Sequence, residues 1–193
     1  MLLPARASLG GGAWSFPSLS ASGVQFMLHE PLAPPDPGLG KPYRGRLSVI
    51  RFSYYGEGPD AIAVYPGTEM LRADVGPQPA IGGGTVSGPR NIRPLFSPAT
   101  LMAGGGLPWR TIVGGQAQAC FDVFRDDGTN IQRVCWNATP RQPTSADVRL
   151  AREAYVQSRR QDSIGALRTL DVMPPVNVTP VFDEIVVGRD NHV

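Results

Sequence analysis

Of the 18 basic residues in this 193-residue chain only Lys41 is a lysine, and histidine and cysteine occur twice each. His29 lies in a proline-rich stretch and His192 beside the last residue, so neither is placed to act as the base of a Ser/His or Cys/His pair. Cys120 and Cys135 are too few for a disulfide framework or a cysteine-ligated metal site. No apolar run approaches the roughly 20 residues of a membrane helix, and Met1–Arg6 lacks the apolar core of a signal peptide. The patterns G-x-S-x-G, G-x-x-x-x-G-K-[ST] and H-E-x-x-H are absent. A net charge of +2 is too near balance to mark a nucleic-acid surface. These absences predict a chain that is not an enzyme, has no catalytic residues, needs no cofactor or metal, and binds neither nucleic acid nor membrane. They also predict a soluble protein made in the cytoplasm.

What is abundant is glycine and proline, 23 and 20 residues, roughly 22% of the chain. That stops short of the roughly 25–30% of disordered sequences, and 41% apolar residues supply a core. Recurrent proline excludes a helical bundle. The excess is uneven. Residues 1–45 hold Gly10–Gly12, then Pro17, then Pro31, Pro34, Pro35, Pro37 and Pro42, with one strand-like run, Val24–Leu28. They read as an extended N-terminal arm, largely polyproline II, that must lie on its own core or on a neighbouring subunit to be ordered. Residues 46–193 read as one β-rich domain. Within it, 66–110 is punctuated by proline and by Gly82–Gly84 and Gly104–Gly106, which predicts long loops with short strands at Glu69–Val75 and Asn91–Phe96.

Two β units are well marked. In the first, Leu47–Tyr55 places Ile50, Phe52 and Tyr54 on one face and Leu47 and Val49 on the other, turns at Gly56–Asp60, and returns along Ala61–Tyr65. In the second, Asp127-Gly128 predicts a two-residue hairpin loop. Opposite positions then pair Phe124 with Ile131, Asp122 with Arg133 and Cys120 with Cys135 on one face, and Val123 with Gln132, Phe121 with Val134 and Ala119 with Trp136 on the other. The second face is the more apolar and is expected to meet the core. Counting outward from that loop puts the cysteines on a hydrogen-bonded site, within disulfide range but wider than the alternate sites. Two small buried thiols are the preferred reading, with the disulfide left open. The turn also loosely fits a calcium loop, but it lacks the later bidentate glutamate.

One helix is predicted over about 145–164, capped by Thr144 or Ser145, with Asp147 in its first turn, Val148, Ala151 and Tyr155 on its apolar face, and a stop near Gly165. Val181–Val187 reads as a final strand. The expected architecture is mainly β: a β-sandwich or partly open, jelly-roll-like barrel of seven to nine strands, with one packed helix and the arm.

Phe182–Gly188 resembles the closing strand of concanavalin-like jelly-roll lectins. The plan of Pro/Gly-rich arm, β core and single helix is similar to small virion structural proteins of tailed bacteriophages. The sequence therefore predicts a structural assembly subunit, a capsid decoration, cement or tail/neck component of a virion or other large soluble assembly. It would act by protein–protein binding, with copies of itself and other structural subunits as partners. Trp14, Phe16, Phe26, Met27 and Leu28 on the arm would fill pockets of a neighbour, and Arg152, Arg159 and Arg160 would lie on a subunit-facing helix, since arginine pairs and stacks well at interfaces. The alternative is a lectin-like carbohydrate-binding module, with Tyr54, Tyr55 or Trp136 stacking on a surface glycan.

Overall fold

The computed structural model describes residues 12–19, 24–31, 38–53, 59–79, 83–175 and 177–190. In chain order the described strands are β1 (Gly12–Leu19), β2 (Val24–Pro31), β3 (Pro42–Ser53), β4 (Asp60–Asp74), β5 (Gln78–Pro79), β6 (Thr85–Val86), β7 (Pro89–Ile92), β8 (Thr100–Gly105), β9 (Arg110–Gly115), β10 (Cys120–Phe124) and β11 (Asn130–Cys135). Two helices follow, α1 (Ser145–Ser158) and α2 (Ser163–Asp171), joined by a 3-10 turn at Arg160–Asp162. The strands form a five-stranded sheet, β1-β2-β3-β4-β7, a four-stranded sheet, β11-β10-β9-β8, and a small β5-β6 pair. Every neighbouring pair is antiparallel. Two antiparallel sheets with two short helices are consistent with a β-sandwich.

The two sheets are joined by a core of Phe26, Leu47 and Val49 from one and Val113 and Phe124 from the other, with Ala63, Tyr65 and Met102 packed against it. Burying each such side chain is worth roughly 1.5–3 kcal/mol. The sheets carry more of the fold than the helices: α1 buries none of its residues, while α2 buries Gly165, Ala166, Thr169 and Leu170. β3 is buried on both faces, because Ile50 and Phe52 are covered as fully as Leu47 and Val49. A second apolar cluster, Leu71, Ala73, Val75 and Ile92, sits where β4 pairs with β7, and Met173 just beyond α2 packs on it.

Residues 12–31 contribute two strands to the first sheet: β1 pairs with β2, and β2 with β3, so strand structure extends well beyond the expected Val24–Leu28. The polyproline stretch around Pro34, Pro35 and Pro37 lies outside the described residues, as do the first turn of the first β unit and Tyr54 and Tyr55. Residues 66–110 hold more strand than expected. β4 runs unbroken through Pro66 to Asp74, because Pro66 falls beside a register shift between Arg44 and Arg46 that spares the ladder its missing N–H. β7 stops at Ile92, before the turn in which Phe96 adopts a left-handed conformation, φ 58°.

The β10–β11 hairpin keeps its expected outer register but not its turn. Arg125 N–H donates to Thr129 O and Gly128 N–H to Arg125 O, so the loop has three residues, Asp126 to Gly128, with Gly128 at φ 84°. A bulge at Ile131 then restores the pairing of Val123 with Gln132 and every pair beyond it. The same slip shifts the hydrogen-bond phase. Trp136 N–H donates to Ala119 O, which makes Cys120 and Cys135 a non-hydrogen-bonded pair with Cα atoms 4.1 Å apart. The preferred reading of two free thiols is corrected: the cysteines form a disulfide.

The facing of the hairpin is also corrected. The Phe124 and Asp122 face meets the first sheet, and the Phe121 and Trp136 face points outward. What covers that outer face is the C-terminal segment, which is not the expected strand. It crosses the sheet as an irregular strap, with Phe182 stacked on Trp136 at 5.7 Å and Trp136 on Phe121 at 5.9 Å. Glycines make room for it. A Cβ on Gly114 would lie 3.1 Å from Phe182, and one on Gly105 would lie 3.2 Å from Val187. The strap hangs on Gln116, a buried residue whose amide accepts from Ala99 N–H, donates to Phe182 O, and whose backbone O accepts from Val181 N–H. Gln116→Leu keeps the volume but leaves Ala99 N–H and Phe182 O without partners, an expected loss of about 2 kcal/mol. Urea unfolding followed by tryptophan fluorescence checks it, because Trp136 reports on the strap.

The predicted single helix is two. Thr144 caps α1, and Asp147 closes a reciprocal capping box while pairing with Arg141 at 2.7 Å. These contacts hold the Asp147 carboxyl well below its usual range, the Arg141 hydrogen bond first among them. α1 ends at Arg159, whose φ of −118° and ψ of 41° leave the helical region. Gly165 is not a stop. Its N–H, 2.9 Å from Asp162 Oδ1, completes the cap of α2, and the Asp162 carboxylate fills the space where a Cβ would stand.

Candidate functional site

An open cleft of about 620 Å³ lies between β4 and the inner face of the second sheet. Its lining holds a polar cluster. Tyr65 donates to Asp122 Oδ2 at 2.6 Å, and Arg133 binds the same carboxylate through Nε and Nη2, both at 2.9 Å. Register explains the meeting: Asp122 and Arg133 are opposite on β10 and β11, and Tyr65 sits opposite Leu47 on the inward side of β4. Asp122 is 4% exposed. Burial alone would raise its pKa, but hydrogen bonds from Arg133, Tyr65 and Asn130 outweigh burial and hold the carboxyl below its usual range. Burial, then the bond to Asp122, pushes the Tyr65 phenol well above its ordinary value. The trio is thus a fixed carboxylate, a protonated phenol and a guanidinium. It organises a cleft wall and offers no group poised to exchange a proton near neutrality.

Arg44 lines the same cleft. It is half-buried and donates to Gly67 O at 3.1 Å and to Pro98 O at 3.2 Å, and among the described residues no carboxylate lies within ion-pair distance of it. No group of three or more His, Cys, Asp or Glu residues that could hold a metal ion occurs among the described residues. No described helix is long and apolar enough to cross a membrane.

The helical pair presents a second surface. α2 turns Gly165, Ala166, Thr169 and Leu170 inward. Ile164 and Leu167, three apart and therefore adjacent on the opposite side, are 66% and 50% exposed, and Leu150 on α1 is 56% exposed. Of the arginines expected on a subunit-facing helix, Arg152 pairs with Asp171 at 3.7 Å, Arg159 lies 4.7 Å over the Tyr155 ring, and Arg160 sits in the turn between the helices. All three belong to the helical region, as do Leu150, Ile164 and Leu167, which periodicity had not singled out.

The expected arm residues divide differently. Phe26 is fully buried in the core of its own chain, so its side chain is used internally and not on a neighbour. Trp14 is in β1 opposite His29, Phe16 falls at the irregular point of the β1–β2 ladder, and Met27 and Leu28 pair with Ile50 and Val49. Trp136 is 41% exposed and flanked by Phe121 and Phe182. Compared with known proteins, the chain matches no family model, no curated protein and no solved structure.

Proposed function

We propose that the chain is a structural subunit of a larger assembly, working by protein–protein binding with copies of itself and other subunits, as its likeness in plan to virion components of tailed bacteriophages implies. The observation that carries this reading is the helical pair. Ile164 and Leu167, neighbours on the outward side of α2, stand two-thirds and half exposed, and Leu150 on α1 is more than half exposed. Large exposed apolar side chains mark contact with another chain, and the arginines of the helical region suit such a contact.

The double substitution Ile164→Lys with Leu167→Lys tests it. Both side chains are outside the core, so the thermal melt is expected to move by no more than a few degrees, while the mass by light scattering falls from an oligomer or co-complex to a monomer. An unchanged mass would remove the helical face from the account. A second reading, sugar stacking on the partly exposed Trp136, predicts glycan binding that Trp136→Ala abolishes.

A further inference from the structure

The residues lining the cleft follow two different periods, and the difference identifies what the cleft can take. From the second sheet the lining residues alternate, Val113 and Gly115 on β9, then Cys120, Asp122 and Phe124 on β10, as residues on one face must. From β4 they are consecutive, Ile62 through Pro66. A bulge at Ile62, between the pairs Val49–Ala63 and Ile50–Ala61, breaks the alternation of β4 at that point, and a free edge exposes the backbone of the residues between. β4 is paired with β3 along its length, but its other edge meets β7 only at Leu71–Asp74. At 66–69 that edge is occupied by the segment leading into β8, through Thr100 Oγ1 to Pro66 O and Glu69 N–H to Pro98 O. At 60–65 no strand pairs with it among the described residues. On such an edge the backbone N–H and C=O groups turned away from the neighbouring strand are the arrangement that accepts an added strand.

The size agrees. With strands about 4.8 Å apart, sheets about 10 Å apart and a rise of about 3.3 Å, one residue of an inserted strand takes about 160 Å³. The 620 Å³ of the cleft therefore corresponds to a strand of about four residues over the inner face of the second sheet. The charge agrees as well. Among the described residues Arg44 has no carboxylate within ion-pair distance, and the Arg133 side chain, 64% exposed, spends only Nε and Nη2 on Asp122. Both line the cleft, so a carboxylate on an incoming strand would find positive charge there.

We propose that the β4 edge at residues 60–65 accepts a short extended strand, bearing a carboxylate, from a different protein of the assembly. This rests on the assembly reading but concerns a separate surface. A second copy of this chain is the poorer donor. Residues 1–11 contain Arg6 and no carboxylate. Val181–Val187, which carries Asp183 and Glu184, is already held on the outside of its own sheet by Gln116, Trp136 and Gly105.

The test is an NMR titration of the full chain with a blocked hexapeptide, Thr-Val-Glu-Val-Thr-Val. Three comparisons accompany it: the same peptide with Lys in place of Glu, the same peptide N-methylated at alternate residues, and a peptide of residues 1–11 of this chain. The expected result is saturable amide shifts at 60–66 and in β9 and β10, about tenfold weaker binding of the Lys peptide, and loss of binding on N-methylation. Equal binding of the Glu and Lys peptides, indifference to N-methylation, or no shifts on β4 at millimolar peptide would overturn it. Tighter binding of the 1–11 peptide would also overturn it, by assigning the cleft to a second copy. The lysine substitutions on the helical pair read particle mass and not this edge, so either idea can fail alone.

Discussion

Asp122→Ala is expected to destabilise the protein by about 3 kcal/mol, although the residue lies in a cleft and not in the apolar core. The carboxylate is 4% exposed and receives hydrogen bonds from Tyr65 and, twice, from Arg133. Removing it leaves the Tyr65 hydroxyl without its acceptor against apolar neighbours and opens space beside Phe124. Arg133 suffers less, because its exposed guanidinium returns to water, and its share is discounted accordingly. Tyr65→Phe deletes only the phenol bond and is expected to cost about 1 kcal/mol. The pH dependence follows from the directions of the shifts. The Asp122 carboxyl is depressed in the folded state, so its contribution is present above about pH 4, the unfolded value, and is lost as pH falls through the folded one. The Tyr65 phenol is raised, so its contribution is present below about pH 10 and is lost as pH rises further. Urea midpoints of wild type and Asp122→Ala should therefore differ most between these limits and converge in acid. A midpoint difference under a tenth of the expected size at pH 7 would show that the cluster does not hold the sheets.

Reduction of the Cys120–Cys135 disulfide is expected to cost about 3 kcal/mol, the loop-closure value for a bridge spanning 15 residues. The bridge ties β10, a central strand, to β11, which among the described residues is paired on one side only. Without it, β11 keeps its ladder and the Arg133 pair. The matched comparison is the double variant Cys120→Ser with Cys135→Ser against oxidised wild type, in urea, with and without reductant. Reductant should lower the wild-type midpoint to near that of the variant and leave the variant unmoved. It should also increase hydrogen exchange in Asn130–Cys135 before the rest of the second sheet.

How much of this was legible in the sequence depended on the range of the interactions involved. Local alternation identified β3 and the start of β4 and both buried faces of β3. The β10–β11 pairs were found for a reason only half right: a three-residue loop and the bulge at Ile131 offset each other, so the outer register survived the wrong turn. The facing of that hairpin was misread because Asp122 makes its side look polar. What satisfies it is Tyr65, 57 positions earlier, which no local pattern reveals. Val181–Val187 reads like a strand because apolar residues flank Asp183 and Glu184, but Phe182 packs on Trp136 and Val187 on Gly105, residues that strand alternation would put on opposite sides. The helix break at Arg159 and the capping role of Gly165 are decisions of backbone and cap that composition leaves open. Thr144 and Asp147 were visible because a capping box is a short-range motif. The cleft combines β3, β4, β8, β9, β10 and β11, and its defining feature, an edge that no strand pairs with among the described residues, is a property of the sheet and not of any segment.

Removing residues 1–40 would delete β1, β2 and the buried Phe26, so its effect on assembly would be confounded with unfolding. The more direct measurement is the mass of the intact chain as isolated from its native source, by light scattering, with every co-eluting protein identified by mass spectrometry. The account predicts a particle well above the 20.6 kDa of one chain, composed of several copies or of this chain with defined companions. A 20.6 kDa monomer without companions would contradict it.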